Sequence, residues 1–331
     1  MDQETEFESG SCLHNRRIVE IMDNPLVSVI VPNYNYARYL PERMESILQQ
    51  TYQHFEVIIL DDVSKDNSRE VIESYRHNPH VSSIVYNDVN SGSAFKQWHK
   101  GFEIAQGELI WIAESDDKCE PVLLERLVAE FQRDKNLVLA FALDCFFHDT
   151  GELSKFVPKD RTPITRLSGY DFIRGYMLDG SYVGNASSAV FKKDAALSVD
   201  NGYMAFKNAG DRLFWIELSE KGNVAIVNDH LNYCRRHGNN VTEKNYQSGL
   251  LQREDKDVLD YVRNHHLASR LQCRVASARY AFGNIARQDF YPPEVKDELL
   301  KLWEIRWFEK LYMRQMKLKA FLSQIKHQVF R

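Results

Sequence analysis

The fold is decided by residues 25–68, which read PLVSVIVPNYNYARYLPERMESILQQTYQHFEVIILDDVSKDNS. Two short apolar runs, 27–31 and 56–60, each precede an amphipathic segment, 39–50 and 67–75. A short apolar run bounded by turn residues predicts a buried strand, and apolar residues at helical spacing predict a helix. The stretch therefore predicts two strand–helix units in succession.

The same alternation continues toward the C-terminus. Apolar runs at 83–86 and 109–113 precede amphipathic segments at 94–105 and 121–133, and the run at 137–147 predicts a fifth buried strand. Consecutive strand–helix units build parallel sheets with helices on both faces. We therefore expect a doubly wound α/β fold with a mixed, mainly parallel sheet.

The chain divides by its sequence pattern into three parts. Its first residues carry six acidic side chains against Arg16 and Arg17, which predicts a mobile or peripheral tail. From about residue 246 the pattern is that of long helices, and Pro292-Pro293 breaks one helix and opens the next. The predicted parts are a tail at 1–24, an α/β domain at 25–245 and a helical region at 246–331.

Composition places the chain among folded globular proteins. Hydrophobic residues make up 44% and charged residues 27% of the 331 residues, which excludes disordered chains and disulfide-stapled miniproteins. The net charge of -5 argues against nucleic acid as a partner. No run approaches the ~18 apolar residues of a membrane-spanning helix, and the acidic start lacks the pattern of a secretory signal, so we expect a cytoplasmic protein. The five cysteines form no CxxC pair, and we expect reduced thiols.

Polar side chains follow three of the predicted strands, at the sheet edge where parallel sheets bind ligands. Glu114-Ser115-Asp116-Asp117 crowds three carboxylates at one strand end. Like charges this close raise one another's pKa unless a cation lies between them, and Mg²⁺ or Mn²⁺ takes oxygen ligands of this kind. The sequence predicts a metal site here, and the alternative is that Asp117 only caps the next helix.

Asp61-Asp62 follows the second predicted strand in the same way. One of these carboxylates can cap the next helix. The other can accept the imide N–H of a uracil or thymine ring that stacks on Tyr34. Each motif is weak alone, so the prediction of a nucleotide site depends on their combination.

Together these motifs resemble the family 2 glycosyltransferases of the GT-A fold. Residues 25–68 and 90–117 contain, in order, the VPxYN opening, the DDxSxD turn, the N-x-G-x-x-x-A helix and a DxD-type metal motif, and the resemblance covers about 26–240. It implies a Rossmann-like GT-A sheet with a nucleotide-binding half at 25–135 and an acceptor half at 136–245. It also implies inverting transfer of a sugar from a nucleotide diphosphate donor.

The resemblance implies roles for individual residues. Asp211, in AGDRLFW, matches the catalytic base, with a helix cap as the alternative. His237, in NYCRRHGNNVT, matches a histidine near the metal or diphosphate, with a surface turn as the alternative. The predicted nucleotide site comprises Pro32, Asn33, Tyr34, Asn35, Asp62, Ser93 and Asp116, and the predicted Mn²⁺ or Mg²⁺ ligands are Asp116, Asp117 and His237.

Further candidates come from the chemistry of the residues alone. Trp98, Asn185 and Ser187 offer a flat ring and polar groups of the kind that sugars bind, so we expect them on the acceptor side. The alternative for Trp98 is a core position at helical spacing. Arg235 and Arg236 can clamp phosphate or face solvent.

Two departures from the family pattern refine the expected reaction. The first acidic position of the metal motif is Glu114, where many members have aspartate. The QxxRW motif of processive synthases is absent, which favours addition of a single sugar to a glycan or lipid-linked acceptor. A UDP- or dTDP-sugar donor is favoured and a GDP-sugar is possible. The alternatives are a nucleotidyltransferase, although the first strand is followed by no glycine-rich loop, and an inactive module that binds nucleotide sugars or glycans.

Basic charge is concentrated at one end of the chain. Residues 301–331 contain eight Lys or Arg against Glu304 and Glu309, a net charge of +6 in a chain of -5. Trp303 and Trp307 lie in the same segment. This pattern predicts either a helix on an anionic membrane surface or an amphipathic helix packed on the protein.

Overall fold

The structure is a computed structural model that describes residues 24–148, 150–237 and 248–316. Its strands are β1 (Val27–Asn33), β2 (Phe55–Asp61), β3 (Val81–Tyr86), β4 (Leu109–Ile112), β5 (Lys118–Cys119), β6 (Leu137–His148), β7 (Leu153–Lys155), β8 (Ile164–Ser168), β9 (Ala189–Lys192) and β10 (Asn223–Arg236). Its α-helices are α1 (Leu40–Leu48), α2 (Ser68–Glu73), α3 (Ala94–Ile104), α4 (Leu123–Arg133), α5 (Gly169–Phe172), α6 (Lys193–Leu197), α7 (Gly210–Ser219), α8 (Leu250–Asn264), α9 (Arg270–Tyr280) and α10 (Pro293–Leu302). Residues 307–316 are also helical.

Within the described residues the strands form one sheet in the order β3-β2-β1-β4-β9-β6-β10-β5, with β7 against β6 and β8 against β10. β1 pairs in parallel with β2 and β4, β2 with β3, and β6 with β10, whereas β9 is antiparallel between β4 and β6. The predicted doubly wound, mainly parallel sheet is therefore confirmed. Because β1, β2, β4, β6 and β10 point the same way, their carboxyl ends share one edge.

Helices cover both faces of the sheet, which explains why its strands are apolar at nearly every position. Along β1, Val27, Val29 and Val31 face the cluster that contains α1 and α4. Ile30 faces the opposite cluster, which contains α3 and α7. Successive side chains point to opposite faces, so a strand buried on both sides must be apolar throughout.

Four short strands, β5, β7, β8 and β9, are additions to the prediction. The most consequential is β9, whose Val190 lies opposite both Trp111 of β4 and Ala140 of β6. Strands of two to five residues carry too little periodicity to be recognised in the sequence. Their position is decided by pairing with strands that are distant along the chain.

The C-terminal helices belong to the same core as the sheet. Val258 and Leu259 of α8 and Cys273 of α9 lie in the apolar cluster that contains α3 and α7. Trp303 is fully buried, stacks on Tyr280 with ring centroids 4.0 Å apart, and donates its Nε1–H to a backbone carbonyl of α8. The beginning of the basic segment 301–331 therefore packs on the protein, and its part at 317–331 lies outside the described residues.

Two further expectations can be compared with the structure. None of the helices in the described ranges is long and apolar enough to cross a membrane. Cys119, Cys145, Cys234 and Cys273 are buried free thiols, as predicted, and Cys12 lies outside the described residues.

Replacing Trp303 by alanine tests whether the C-terminal helices are part of the folding unit. We expect Trp303→Ala to lower the free energy of unfolding by about 3–5 kcal/mol, the usual cost of removing a buried tryptophan. Trp307 is 77% exposed, so Trp307→Ala is the matched control, and it should change the free energy of unfolding by less than about 0.5 kcal/mol. Urea denaturation measures the free energy of unfolding of both variants. Equal losses in the two variants would contradict the packed position of Trp303.

Candidate active site

The candidate site lies where the parallel strands end. β1 ends at Asn33, β2 at Asp61, and β4 leads into Glu114 to Asp117. β10 ends at Arg236, beside the acidic segment. The topology thus gathers residues from distant parts of the chain at one edge of the sheet.

Asp62 is held by the segment that leads into α3. Its carboxylate accepts hydrogen bonds from the backbone N–H and hydroxyl of Ser91, both at 2.8 Å, and from the amide groups of Asn87 at 2.6 Å and Gln97 at 3.2 Å. The side chain is only 5% exposed. Asp62 therefore fixes this loop against β2, a role that the sequence did not indicate.

The turns after β1 and β2 bind each other through amide and hydroxyl groups. Asn33 donates to Asp61 at 2.8 Å and to Ser64 at 3.1 Å, and the Asn35 side chain accepts from the backbone of residue 65. Val63, next to Asp62, has a φ of +64°, a conformation that costs a β-branched residue free energy. These contacts keep both turns fixed while Tyr34 stays 45% exposed.

Two of the three carboxylates after β4 point into the protein. Glu114 accepts the indole N–H of Trp98 at 2.9 Å. Asp117 accepts from the hydroxyl of Ser187 at 2.7 Å and from the backbone N–H of Arg235 at 3.0 Å. Burial, followed by the charge of Asp116, raises the pKa of Glu114 to about 8 and that of Asp117 to about 7. Asp117 does not cap α4, whose N-cap is residue 122.

Asp116 is the carboxylate that contacts His237. The Asp116 Oδ2 and His237 Nε2 atoms are 2.9 Å apart, and the imidazole packs against the rings of Tyr36 and Tyr39, whose centroids are 5.7 and 5.4 Å away. The His237 side chain is therefore packed against protein groups, with 10% of its surface exposed. Arg235 donates to the backbone carbonyl of Asp116 at 2.9 Å.

Arg43 supplies a buried positive charge beneath this acidic strand end. It is completely buried on α1, with its guanidinium 4.9 Å from the ring centroid of Trp111. Within the described part of the chain its side-chain nitrogens make no hydrogen bond, and its charge opposes the upward pKa shifts of Glu114 and Asp117. Arg43 was not predicted, because it lies among the apolar residues on the buried face of α1.

Asp211 lies in the first turn of α7, whose N-cap is residue 209 and has no side-chain cap. Its carboxylate accepts the backbone N–H of Arg212 at 2.7 Å. Burial, with a contribution from the charge of Asp255, raises the pKa of Asp211 to about 7. Asp211 is therefore not the N-cap residue, and its carboxylate satisfies one backbone N–H in the first turn of α7.

Helix α8 fixes the segment that carries Asp211. Glu254 accepts the backbone N–H groups of residues 207, 208 and 209 at 2.8, 2.7 and 2.9 Å, which places a carboxylate at the N-terminus of α7. The next residue of α8, Asp255, forms a buried ion pair with Arg212 and accepts a hydrogen bond from Tyr280. These two acids of α8 were not predicted, because a helical pattern alone does not show which face binds a distant loop.

Helix α3 connects the segment of Asp211 to the acidic strand end. Gly210 packs so closely on the ring of Phe95 that an added Cβ would lie 2.6 Å from it. Phe95 is in edge contact with Trp98, and Trp98 binds Glu114. The loop before α3 also binds Asp62. One helix therefore contacts all three parts of the predicted site.

The acceptor-side candidates lie deeper than predicted. Trp98 is 3% exposed, which confirms its alternative core position, and Ser187 is fully buried. Both side chains support the acidic residues, and neither offers an acceptor an exposed surface. Asn185 is half-buried, and its side chain accepts from the backbone of Ser187 at 2.6 Å and donates to the sulfur of Cys234 at 3.2 Å.

Two predicted nucleotide residues belong to the strand and the helix beside the turns. Pro32 is within β1, and its carbonyl accepts the hydroxyl of Ser115 at 2.7 Å. Ser93 is the N-cap residue of α3. The guanidinium of Arg236 lies 4.6 Å from the ring centroid of Phe146.

Comparison with known sequences identifies the family. Residues 28–189 match the model described as Glycosyl transferase family 2. TuaG of Bacillus subtilis, named as a glycosyltransferase of teichuronic acid biosynthesis, is 35% identical over 134 residues, which are 40% of this chain and 52% of TuaG. The chondroitin synthase of Pasteurella multocida is 29% identical over 239 residues, which are 70% of this chain and 23% of the synthase. The chain thus spans about half or less of the length of these curated relatives.

Solved structures agree on the fold. Residues 1–349 of S. aureus TarS, crystallised in complex with UDP-GlcNAc, match with a TM-score of 0.55 at 19% identity, covering 87% of this chain and 88% of that one. The architecture is thus that of the GT-A fold. Residues 28–189 thus form a domain of the glycosyltransferase 2 family, as the motifs predicted.

Removing the carboxylate of Glu254 tests whether its hydrogen bonds stabilise the segment before Asp211. Glu254→Ala leaves three backbone N–H groups without their acceptor, and we expect it to lower the free energy of unfolding by about 1–3 kcal/mol. Glu298→Ala is the control. Glu298 is an exposed carboxylate of α10, and it pairs with Arg253, the residue that precedes Glu254 in α8. Its effect should stay below about 1 kcal/mol. Thermal denaturation compares the free energy of unfolding of the two variants. Equal losses in both would contradict a special role of Glu254.

Proposed function

We propose that the protein transfers a single sugar, with inversion, from a nucleotide diphosphate sugar to a hydroxyl of a lipid-linked or polysaccharide acceptor in the cytoplasm. The observation that carries the proposal is that α3 joins Asp62, the acidic strand end and the Asp211 segment at one edge of the sheet. The names of TuaG and the chondroitin synthase support a product that belongs to a cell-surface glycan.

We assign the nucleotide to the ends of β1 and β2. Tyr34 presents an exposed ring there, and Asp62 orders the loop beside it. Aromatic faces stack on bases, and backbone and amide groups in fixed turns supply hydrogen bonds of defined direction. The complex of TarS with UDP-GlcNAc supports a UDP-sugar, with a dTDP- or GDP-sugar as the alternatives.

The diphosphate belongs at Asp116 in this proposal. Asp116 and His237 offer an oxygen and a nitrogen ligand close together, a pair that Mn²⁺ or Mg²⁺ can bind, whereas the oxygens of Asp117 are taken up by protein donors. Among the described residues no group of three His, Cys, Asp or Glu side chains is arranged around a common point, so phosphate oxygens and water would complete the coordination. When bound, such a cation supplies positive charge that offsets the charge of the diphosphate.

Asp211 is the proposed general base. In an inverting displacement the acceptor hydroxyl loses its proton as it attacks the anomeric carbon from the face opposite the diphosphate. A carboxylate with a pKa of about 7 combines sufficient basicity with substantial ionisation at neutral pH. The contacts of Glu254 and Asp255 to its segment hold it in position.

Metal dependence can be measured directly with UDP as the ligand. We expect Mn²⁺ to increase the affinity for UDP at least tenfold, because the acidic strand end otherwise repels the diphosphate, and Asp116→Ala to abolish this increase. Asp289→Ala, at an exposed carboxylate remote from the strand ends, is the control. Calorimetry of the three proteins, each with Mn²⁺ and with chelator, gives six affinities, and equal affinity of the wild type in both conditions would refute the metal assignment.

The role of Asp211 can be tested through the pH dependence of transfer. The base must be ionised, so kcat should fall about tenfold per pH unit below pH 7 in the wild type. Asp211→Asn should lower kcat by about 10²- to 10⁴-fold and remove this limb of the profile.

Stability provides the control for this variant. A carboxyl whose folded pKa is raised makes the folded state less stable as the pH rises from about 4 to 7, and asparagine removes that cost. Asp211→Asn should therefore melt at or above the wild-type temperature at pH 8. Near-normal turnover in this variant would show that the base lies elsewhere.

A further inference from the structure

The 307–316 helix has an inner face that binds the protein. Glu309 is 3% exposed and accepts a hydrogen bond from Arg274 of α9 at 2.6 Å. The guanidinium of Arg274 also lies 4.3 Å from the ring centroid of Phe308, and Arg279 donates to the hydroxyl of Tyr312 at 3.3 Å. These contacts to α9 fix which side of the helix faces outward.

The outer face carries a tryptophan, a leucine and two cations. Trp307 is 77% and Leu311 54% exposed, and Lys310 and Arg314 are exposed beside them. The four residues follow the i, i+3, i+4, i+7 spacing that places side chains on one side of a helix. We call these four residues the outer face.

The surroundings of the outer face are also basic. A cavity of about 560 Å³ adjoins the start of the helix, and its lining has five cationic and three acidic side chains: Lys256, Arg263, Arg270, Arg274 and Arg306 against Asp260, Glu304 and Glu309. It shares Arg263 and Arg270 with a cavity of about 690 Å³ that Arg174 and His266 also line. Within the described part of the chain no acidic side chain lines this larger cavity.

We propose that the outer face docks on the surface of an anionic lipid bilayer. Tryptophan and leucine insert at the boundary between headgroups and acyl chains, and cations beside them attract acidic headgroups. The rest of the chain is net negative while 301–331 is net positive, so an anionic surface orients the protein with this end toward it.

A second copy of the chain fits the outer face less well. A symmetric dimer would place Lys310 and Arg314 against the same residues of the other copy, which brings like charges together. The outer face lies outside the proposed catalytic residues, so the docking proposal does not depend on the assigned reaction.

Intrinsic fluorescence tests the proposal without a label. Four of the five tryptophans, Trp98, Trp111, Trp215 and Trp303, are at most 3% exposed, so a change at the protein surface reports on Trp307. With vesicles of phosphatidylcholine mixed with phosphatidylglycerol, we expect a blue shift and quenching by brominated acyl chains. High salt should reverse both, and pure phosphatidylcholine vesicles should cause neither.

Matched variants separate the effect of the outer face on vesicle binding from the effect of the protein's net charge. Lys310→Glu should weaken partitioning onto the acidic vesicles by about tenfold. Lys135→Glu makes the same charge change at an exposed lysine in the turn before β6 and should leave partitioning unchanged within about twofold. Trp307→Ala should weaken vesicle binding in co-sedimentation while UDP affinity and melting temperature stay as in the wild type.

Several results would overturn the proposal. Equal binding to acidic and neutral vesicles, or equal effects of Lys310→Glu and Lys135→Glu, would show that the outer face does not recognise an anionic surface. Unchanged vesicle binding in Trp307→Ala, together with loss of a dimer in analytical ultracentrifugation, would assign the face to a protein interface. Because UDP binding is measured in parallel, failure of the catalytic assignment would be seen separately.

Discussion

The rest of the site depends on one constraint, which is that three carboxylates lie together at the end of β4. Taking ionised groups out of water costs free energy unless donors or opposite charges compensate. A tryptophan of α3, a serine before β9 and a backbone N–H of β10 supply donors to Glu114 and Asp117. Arg43 adds a buried positive charge from α1. Asp116 is left beside His237 with 15% of its side chain exposed, and in the proposed function its negative charge binds a cation.

This arrangement ties the two halves of the domain to each other and to the C-terminal helices. Antiparallel β9 lies between β4 and β6, so the serine that supports Asp117 is brought to the acidic strand end by the sheet itself. On the other side of the site, Glu254 and Asp255 of α8 hold the segment of Asp211 through backbone and ion-pair contacts. The C-terminal helices therefore support the proposed base, although the family match ends at residue 189, before both of them.

The sequence predicted those features that repeat or occur in a fixed order along the chain. The buried parallel strands were recognised because each is apolar on both faces, and the acidic strand ends followed from the direction of those strands. The hydrogen bond of Trp98 to Glu114, the support of Asp117 by Ser187 and the contacts of Glu254 could not be predicted, because each joins residues at least sixteen positions apart. Periodicity predicts which residues are buried and leaves open which distant partner they meet. Short β9 was missed for the same reason.

The most direct test of the account is a crystal structure with UDP and Mn²⁺, with data collected at the manganese absorption edge. The account predicts an anomalous peak bonded to the carboxylate of Asp116, beside His237, in contact with the diphosphate, while the uracil lies at the ends of β1 and β2 near Tyr34. UDP bound at these strand ends without an anomalous peak at Asp116 would contradict the role given to the acidic strand end. A peak held by other residues would contradict it equally.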